Sequence, residues 1–363
     1  MKRVLHVLGG LGLGGAETMI MNLYRHIDKS EFQFDFVVTG NETGYYEPEA
    51  KMLGARVYHI RKRTESFLGN LKDFYKTVKN HKYSVLHFHT QNAFFTTLQI
   101  FIAKLAGAKK IIVHSHNTMD WRTGISLKLH YVCRPILNLL ADVKLSCGAA
   151  AAEWLYGNDK DVTVVPLPVD CKKYKFSQEK YHMLREKYRL SESKVYVHTG
   201  RFSDQKNHEF LIDVFAEIVK RENNSKLMLL GDGELRPAIE DKVKSLNLQE
   251  KVIFCGNVSD VWDRLIASDA FLLPSKYEGF PTVILEAQAA GLPCYISNTI
   301  TKRIAITNLV SFVDIAHGVG AWVQDILNGR VVKEYERIQS NIAISGEYDV
   351  SVVTDKIEEI YRG

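Results

Sequence analysis

Short apolar segments alternate with amphipathic segments throughout the first half of the chain, and this alternation strongly limits its fold. The apolar segments are "RVLHVLG", "FQFDFVVTG", "ARVYHI", "SVLHFHT", "KKIIVHSH", "VKLSCG" and "VTVVP". Helical patterns between them include residues 17–27, 68–79 and 127–141. Strands that alternate strictly with helices predict a parallel sheet with helices on both faces. We therefore expect a doubly wound α/β domain here.

The second half starts the same pattern again. Its apolar segments are "KVYVHTG", "SKLMLLG", "KVIFCG" and "DAFLLPS", with helices predicted near residues 209–222, 237–245 and 261–267. We predict two Rossmann-like domains, 1–168 and 169–345, and a closing helix at 346–363 that packs back on the first domain. Ligands of such sheets bind beyond the carboxyl ends of the strands. Two facing domains would therefore form a cleft between them.

Composition excludes several classes of protein. The 363 residues are 46% hydrophobic and 25% charged, which is typical of a globular protein of about two domains. The net charge of +5, without a long basic run, favours anionic ligands or an anionic membrane surface but not nucleic acid. Five scattered cysteines without a CxxC motif indicate a reducing cytosol. With no apolar stretch of about 20 residues, we expect a cytoplasmic protein, peripheral at most on the membrane.

The stretch "SKYEGFPTVILEAQAAGLP" places Glu278 in a loop after a strand and Glu286 inside the following helix, with Pro281 as its predicted first residue. The backbone N–H groups at the start of this helix are free and would bind a phosphate. They belong to Phe280, Thr282 and Val283. Carboxylates beside that phosphate suit hydroxyl-rich groups, so the pattern indicates a nucleotide sugar. Spacing alone slightly favours a plainer alternative: an exposed helical glutamate and a charge at the helix start.

The N-terminal "MKRVLHVLGGLGLGGAE" resembles a signal peptide, but its glycines fit a strand and loop better. Gly10, Gly12 and Gly15 form a G-x-G-x-x-G fingerprint of dinucleotide binding. The acidic residue expected at the end of the second strand is missing, because Glu42 lies in the loop beyond it. We therefore infer only that Gly14 and Gly15 let the backbone approach a phosphate or sugar. A tight turn without a ligand explains them equally well.

Arg201 and Lys206, in "HTGRFSDQKN", follow the first strand of the second half. Two cations at this edge would stabilise the charge on a departing diphosphate. Isolated surface cations are commoner, so the interpretation depends on the "EGFPT" loop lying at the same edge of the same domain.

Two H-x-H pairs occur at predicted strand ends, His87 with His89 and His114 with His116. Alternate strand residues share a face, so each pair could chelate a metal. No cysteine or carboxylate lies close in sequence to complete a site, so we favour hydrogen-bonded strand-end histidines and no metal. His116, followed by Asn117, could instead contact a sugar hydroxyl.

Two further features have a structural interpretation. The D-x-D of "NDKD", Asp159 and Asp161, fits a solvated turn better than a metal–diphosphate motif. An apolar stripe in residues 67–78 has a basic flank in residues 61–76, and core packing is favoured over contact with anionic lipid. The stripe is Phe67, Leu68, Leu71, Phe74, Tyr75 and Val78, and the flank is Arg61, Lys62, Arg63, Lys72 and Lys76.

Several segments together resemble the retaining GT-B glycosyltransferases of family four, particularly bacterial capsular and exopolysaccharide enzymes. They are "GLGGAET", "LHFHT", "IIVHSHN", "GRFSDQKN", "LLGDGEL", "VIFCGNVSDV" and "EGFPTVILEAQAAGLP", the last being the family's E-x7-E motif. The resemblance runs from end to end and implies a GT-B fold of two facing Rossmann-like domains. One departure is "PLPVD" at residues 166–170, where relatives carry a P-N-G-[VI]-D turn, so we expect a stiffer turn between the domains.

The resemblance implies roles for matching residues. Glu278 would contact the donor sugar, Glu286 the nucleotide ribose, and Arg201 and Lys206 the donor diphosphate. The loop that contains Glu278 and the start of the following helix would also bind substrate. The remaining members of that loop are Gly279, Phe280, Pro281 and Thr282.

From the first domain, the resemblance implies that Gly14 and Gly15 approach donor phosphate and sugar, and that His116 lies near the sugar. The backbone at Val258 would recognise the base. The implied reaction is transfer with retention from a nucleotide sugar, expected to be a UDP-sugar, to a polyprenyl-diphosphate-linked glycan, without metal or cofactor. The alternatives are a nucleotide-binding subunit without activity, a glycoside hydrolase using Glu278 and Glu286, and an NAD-dependent oxidoreductase.

Overall fold

A computed structural model describes residues 1–116, 123–158, 160–190 and 192–363. The chain forms two compact units, each built around one parallel sheet. The first unit comprises Met1–Pro168 together with Val350–Gly363, and the second comprises Val169–Asp349. The chain therefore enters the second unit once and then returns to the first.

The first unit contains a seven-stranded sheet of order β3-β2-β1-β4-β5-β6-β7 with parallel neighbours. The strands are β1 Lys2–Val7, β2 Phe32–Thr39, β3 Val57–Ile60, β4 Val85–Thr90, β5 Lys110–Ser115, β6 Val143–Ser146 and β7 Thr163–Val164. The helices are α1 Gly15–His26, α2 Glu47–Met52, α3 Phe67–Asn80, α4 Ala93–Leu105, α5 Gly124–Leu140 and α6 Ala149–Tyr156. The alternation predicted from the sequence is confirmed for this unit.

Central strands of this sheet are buried on both faces. Phe32, Phe34 and Phe36 of β2 are fully buried, and so are Val4 and Leu5 of β1. Helices that cover both faces of a parallel sheet require such nearly continuous apolar strands. This explains why the strands form apolar runs rather than alternating patterns.

The C-terminal helix, α14 Val350–Arg362, belongs to the first unit. Val353, Ile357 and Tyr361 recur every four residues and are buried, so one face of the helix packs on the core. The hydroxyl of Tyr361 lies 2.8 Å from Nδ1 of His87 on β4. This hydrogen bond joins the last helix of the chain to a central strand.

The second unit has a six-stranded parallel sheet of order β10-β9-β8-β11-β12-β13. The strands are β8 Lys194–Thr199, β9 Ser225–Leu230, β10 Val252–Gly256, β11 Ala270–Leu273, β12 Cys294–Ser297 and β13 Val310–Val313. The helices are α7 Gln178–Lys187, α8 His208–Arg221, α9 Arg236–Ser245, α10 Val261–Ile266, α11 Thr282–Ala289, α12 Gly318–Leu327 and α13 Glu334–Tyr348. The sequence analysis did not identify β12 or β13, which are only four residues long.

Each sheet reverses its direction of winding between two neighbouring strands. In the first unit these strands are β1 and β4, and in the second they are β8 and β11. The chain leaves such a pair toward opposite edges of the sheet, so a crevice opens beyond their carboxyl ends. The glycine loop follows β1, Arg201 and Lys206 follow β8, and Glu278 follows β11.

Candidate functional site

Lys206 and Glu278 meet beyond the carboxyl ends of β8 and β11, the two strands between which the second sheet reverses its direction of winding. We call this place the switch point of the sheet. Lys206 closes a short 3-10 helix, Asp204–Lys206, after β8, and Glu278 lies in the loop after β11. The ammonium nitrogen of Lys206 is 2.5 Å from Oε1 of Glu278, and the two side chains are only 15% and 8% exposed. Their mutual shielding from water makes this pair far less screened than a surface ion pair.

Gln205 supports this pair, although the sequence analysis gave it no role. Its Nε2 donates to Oε2 of Glu278 at 3.2 Å and to the carbonyl of Tyr277 at 3.0 Å. Its own carbonyl accepts from the backbone N–H of Lys276 at 2.8 Å. Gln205 therefore fixes the loop and the carboxylate together. Its position beside Lys206 was the available sequence signal.

Arg201 lies on the adjoining loop and is largely exposed. Its guanidinium contacts Glu234, with Nη2 3.0 Å from Oε2. The loops after β8 and β9 are in close backbone contact, because a Cβ at Gly231 would lie 2.1 Å from the carbonyl oxygen of Gly200. This close approach places Glu234 beside Arg201. An exposed pair is worth less than about 1 kcal/mol, so Arg201 can turn to another anion at small cost.

The helix that carries Glu286 begins one residue later than predicted. Pro281 is the N-cap of α11, with an extended backbone, and Thr282 is its first helical residue. Among the residues that the structure describes, no side chain caps this end of the helix. The first N–H groups of a helix have no partner within the helix, so the loop from Gly279 to Thr282 retains its predicted capacity to bind an anion.

Glu286 occupies a different environment from Glu278. It forms a hydrogen bond with Tyr174, and burial raises the pKa of its carboxyl to about 7. A carboxyl with this pKa is partly protonated near neutral pH, so it can donate as well as accept a hydrogen bond. Desolvation also raises the pKa of Tyr174, which keeps that hydroxyl protonated as the donor. The two glutamates of the motif therefore differ in their hydrogen-bond partners, which are Lys206 and Gln205 for Glu278 and Tyr174 for Glu286.

Val258 follows β10, at the same carboxyl edge of the second sheet. Its side chain is partly buried against the core of the unit. Core packing of the side chain leaves the backbone as the group that could recognise a ligand. The proposed contact of this backbone with a base remains a prediction.

In the glycine loop of the first unit, neither the backbone conformation nor the packing requires glycine. None of the residues from Gly9 to Gly15 has a positive φ. A Cβ at Gly9, Gly10, Gly12 or Gly15 would meet no atom of the described residues within 4 Å, whereas one at Gly14 would meet the flexible side chain of Glu17. Local structure therefore does not explain the glycines, and open space above the loop suits a closely approaching ligand.

Glu42 does not occupy the position of a ribose-binding acidic residue. Its carboxylate pairs with Lys62 at 2.9 Å in an exposed loop beyond β2. The fold therefore does not bring Glu42 to the end of β2, where a ribose-binding acidic residue is expected, and this argues against a dinucleotide at the glycine loop.

His116 directly follows β5, and its ring belongs to a larger histidine cluster. Its Nε2 lies 2.8 Å from Nδ1 of His89, and burial lowers its pKa to about 4, so the ring is neutral at pH 7. The prediction that the strand-end histidines are hydrogen-bonded is wrong for His114. Neither nitrogen of its buried ring has a partner among the described residues. The sequence analysis also missed His6, which contacts His89 at 2.9 Å.

The apolar stripe of α3 is only partly a core surface. Phe74 and Val78 are fully buried as predicted, but Phe67 and Leu68 are exposed. In the basic flank, Arg61 pairs with Asp73. Of the other predicted features, Asn117 and Asp159 lie outside the described residues. Across the described parts of the chain, we find no helix with the length and apolar character needed to span a bilayer.

Comparison with known proteins agrees with this architecture. The family model "Glycosyltransferase Family 4" matches residues 13–173, and "Glycosyl transferases group 1" matches residues 182–314. The chain is 33% identical to the glycosyltransferase EpsF of Bacillus subtilis, over 99% of this chain and 96% of that protein. It is 28% identical to the UDP-Gal:alpha-D-GlcNAc-diphosphoundecaprenol alpha-1,3-galactosyltransferase of Escherichia coli, over 80% and 78% of the two chains.

Among solved structures, HepE from Anabaena in complex with UDP superposes with a TM-score of 0.77 at 18% identity, covering 100% of both chains. This likeness supports the fold, and the sequence matches support the enzyme class. The chain therefore belongs to glycosyltransferase family 4 and has the GT-B fold of two parallel-sheet α/β units.

Proposed function

We propose that this glycosyltransferase moves a sugar from a UDP-sugar to a lipid-linked glycan, with retention of the anomeric configuration and without a metal ion. The product would belong to capsular or exopolysaccharide synthesis. The observation that carries the proposal is the Lys206–Glu278 pair beyond the carboxyl ends of β8 and β11. Gln205 holds the carboxylate of Glu278 in place by a hydrogen bond.

The pair suits a ligand that has both hydroxyl groups and a diphosphate. An ammonium group has three donor protons, so Lys206 can bind Glu278 and a phosphate oxygen at once. Glu278 keeps further lone pairs for sugar hydroxyls. Arg201 can leave its exposed partner Glu234 and add a second cation to the diphosphate.

These cations would act when charge develops on the leaving group. As the bond between the sugar carbon and the diphosphate oxygen breaks, negative charge grows on the departing UDP. Lys206, Arg201 and the N–H groups at the start of α11 would stabilise that charge without a metal ion. The acceptor oxygen forms the new bond on the same face, and its proton passes to a phosphate oxygen of the donor.

Within the first unit, the proposal gives roles to the glycine loop and to His116. Gly14 and Gly15 allow a ligand to approach the backbone, and the neutral ring of His116 can exchange a hydrogen bond with a hydroxyl. Glu286 would bind ribose hydroxyls, and the backbone at Val258 would bind the base.

Two comparisons support the choice of substrates. The relative from Escherichia coli is named for transfer from UDP-Gal to a diphosphoundecaprenol-linked sugar, and the structure of HepE contains UDP. By analogy, we propose UDP as the nucleotide and a polyprenyl-diphosphate-linked glycan as the acceptor.

An acceptor anchored in lipid requires the enzyme to reach a membrane surface, and α5 has suitable chemistry. Val132, Ile136 and Leu139 lie one helical turn apart along α5 and are exposed. The helix contains Lys128 and Arg134 but no acidic residue. Lys128 lies one turn before Val132 on the same face, and an apolar face with a basic neighbour binds anionic lipid at the headgroup level. We therefore assign peripheral membrane contact to α5 rather than to the basic flank of α3.

The first experiment is a thermal-shift measurement with UDP, GDP, ADP, TDP and NADH, each with and without EDTA. A ligand that binds the native state raises the melting temperature. We expect UDP to give the largest shift and EDTA to leave it unchanged. A response to NADH alone would reject the proposal.

A second experiment tests transfer itself. The purified enzyme is incubated with UDP-sugars and a polyprenyl-diphosphate-linked acceptor, and the anomeric configuration of the product is determined by NMR. A product with the donor's configuration supports retention, whereas an inverted product contradicts the proposed same-face mechanism.

A further inference from the structure

Five histidines converge at the switch point of the first sheet. They come from three neighbouring strands and the residue that follows one of them: His6 on β1, His87 and His89 on β4, His114 on β5, and His116. We propose that this cluster binds one transition-metal ion, zinc in the first instance, through His89, His114 and His116.

The backbone register brings these three rings together. His89 and His114 are directly opposed on paired parallel strands, and His116 follows His114 by two residues on the same side. One ligand nitrogen from each of the three rings lies within 4.8 Å of the others. In a tetrahedral zinc site with bonds of about 2.1 Å, ligand nitrogens are about 3.4 Å apart. Ring movements of about 1 Å would bring the three nitrogens to the distances of a zinc site.

His114 gives the strongest reason to expect a ligand here. Its side chain is fully buried, and within the described residues neither Nδ1 nor Nε2 has a hydrogen-bond partner. A buried polar group without a partner costs about 1–3 kcal/mol. Nδ1 of His116 likewise has no partner in the described part of the chain. A metal bound to one nitrogen of His114 would satisfy one of the two ring atoms that the described residues leave without a partner.

Of the other two histidines, His6 would orient a ligand of the ion. His6 and His87 are already engaged: Nδ1 of His6 lies 2.9 Å from Nε2 of His89, and Nδ1 of His87 lies 2.8 Å from the Tyr361 hydroxyl. A metal-binding histidine usually donates its second N–H to such a partner. His6 can therefore hold the Nε2 side of His89 while Nδ1 of His89 binds the ion.

The protons balance without loss to solvent. At present Nδ1 of His89 and Nε2 of His116 share a hydrogen bond of 2.8 Å. When the ion binds, each neutral ring keeps one proton on a nitrogen that does not ligate it. His116 carries its proton on Nδ1, His114 on the nitrogen that faces away from the ion, and His89 on Nε2, which donates to Nδ1 of His6 while the proton of His6 is on its Nε2.

An all-imidazole set selects among metals. Imidazole suits zinc, copper and nickel, whereas magnesium and calcium prefer oxygen ligands. Three histidines leave a fourth position of a tetrahedral ion open. His89 and His116 are only partly buried, which gives the ion a route to the site.

The test uses full-length protein without a histidine tag, stripped of metal with EDTA and then dialysed free of chelator. Cobalt(II) is added and followed by its visible absorption, and zinc binding is measured by calorimetry. We expect one equivalent of metal per chain. His114→Phe keeps a buried aromatic ring and should weaken binding at least about tenfold. His81→Ala, at an exposed histidine of the same unit, should bind like the wild type.

A second variant covers the case in which His114→Phe does not fold. His116→Ala removes a partly exposed ligand and is expected to lower metal affinity by a similar factor while its melting temperature is checked. The proposal would be overturned if neither metal bound at a concentration of about 10⁻⁴ M. It would also be overturned if all variants bound metal equally well.

A consequence for activity rests on the proposed function. Zinc would occupy the ring of His116, which is also proposed to contact substrate, so added zinc is expected to lower transfer while EDTA does not. The cobalt spectrum does not depend on transfer. Metal binding without zinc inhibition would therefore leave the site intact and count against the role of His116 in transfer.

Discussion

Lys206 and Glu278 lie 72 positions apart in the chain, yet their charged atoms are 2.5 Å apart and both side chains are largely shielded from water. The neighbouring strands β8 and β11 bring them together. Removing either partner would leave the other charge poorly compensated.

Glu278→Ala should abolish measurable transfer, because it removes a group that positions the donor sugar; losses of about 100-fold follow even small misplacements. The uncompensated Lys206 should also destabilise the second unit by about 1–3 kcal/mol. Transfer rates and denaturant unfolding measure the two effects. The control is Asp204→Ala, which breaks the exposed Asp204–Lys276 pair close by and should change stability by less than about 1 kcal/mol. Near-normal turnover of Glu278→Ala would reject the assignment.

Arg201→Ala should lower kcat/KM by about 10²–10³-fold, because a cation that stabilises the leaving diphosphate is lost. Its melting temperature should stay close to that of the wild type, since its present partner is an exposed glutamate. Glu234→Ala removes that partner and is the matched control, with activity retained or slightly raised. If both variants lose activity equally, the ion pair rather than the free cation is required.

Gly15→Ala should weaken UDP binding while leaving the fold unchanged. A Cβ at Gly15 meets no protein atom within 4 Å, and the residue has no positive φ. The methyl group can therefore interfere only with an approaching ligand. Calorimetry with UDP and a melting curve test this, with Gly346→Ala in α13 as the control at another unobstructed glycine. Unchanged affinity would indicate that the loop contacts no donor group.

Glu286→Gln should change how stability depends on pH. The carboxyl has a pKa of about 7 in the folded protein and about 4.5 when unfolded, so the folded state holds more protons between these values. Stability should therefore fall as pH rises from 4.5 to 7, by at most about 3 kcal/mol. The glutamine variant lacks this loss and should be more stable at pH 8 but similar at pH 4.5. Urea unfolding at several pH values measures it, with exposed Glu250→Gln as the control. Parallel curves for Glu286→Gln and wild type would contradict the shifted pKa.

Leu139→Glu should reduce binding to vesicles that contain anionic lipid, because it places a negative charge on the exposed apolar face of α5. The charge is expected to lower both the apolar and the electrostatic attraction. Vesicle sedimentation compares it with Leu246→Glu, an exposed leucine of the second unit. Equal binding of the two variants would remove α5 from the membrane contact.

The sequence predicted the local part of this structure well. Strand and helix positions follow from short apolar runs and helical spacing, and eleven of the thirteen strands in the described parts of the chain coincide with predicted segments. The two missed strands, β12 and β13, are short and lie in a region without a clear repeat of the pattern. The glycine loop and the "EGFPT" loop were placed correctly between strand and helix.

The sequence by itself therefore determined the class of fold, the family and the loops that carry the candidate residues, because these depend on spacing between neighbours in the chain. Only the tertiary structure decided which side chains meet: Gln205 and Lys206 with Glu278, Tyr174 with Glu286, and His6 with the distant H-x-H pairs. Such contacts depend on the order of strands in each sheet. That order results from how the helices and strands pack into a common core, and this long-range packing leaves no fixed spacing in the sequence.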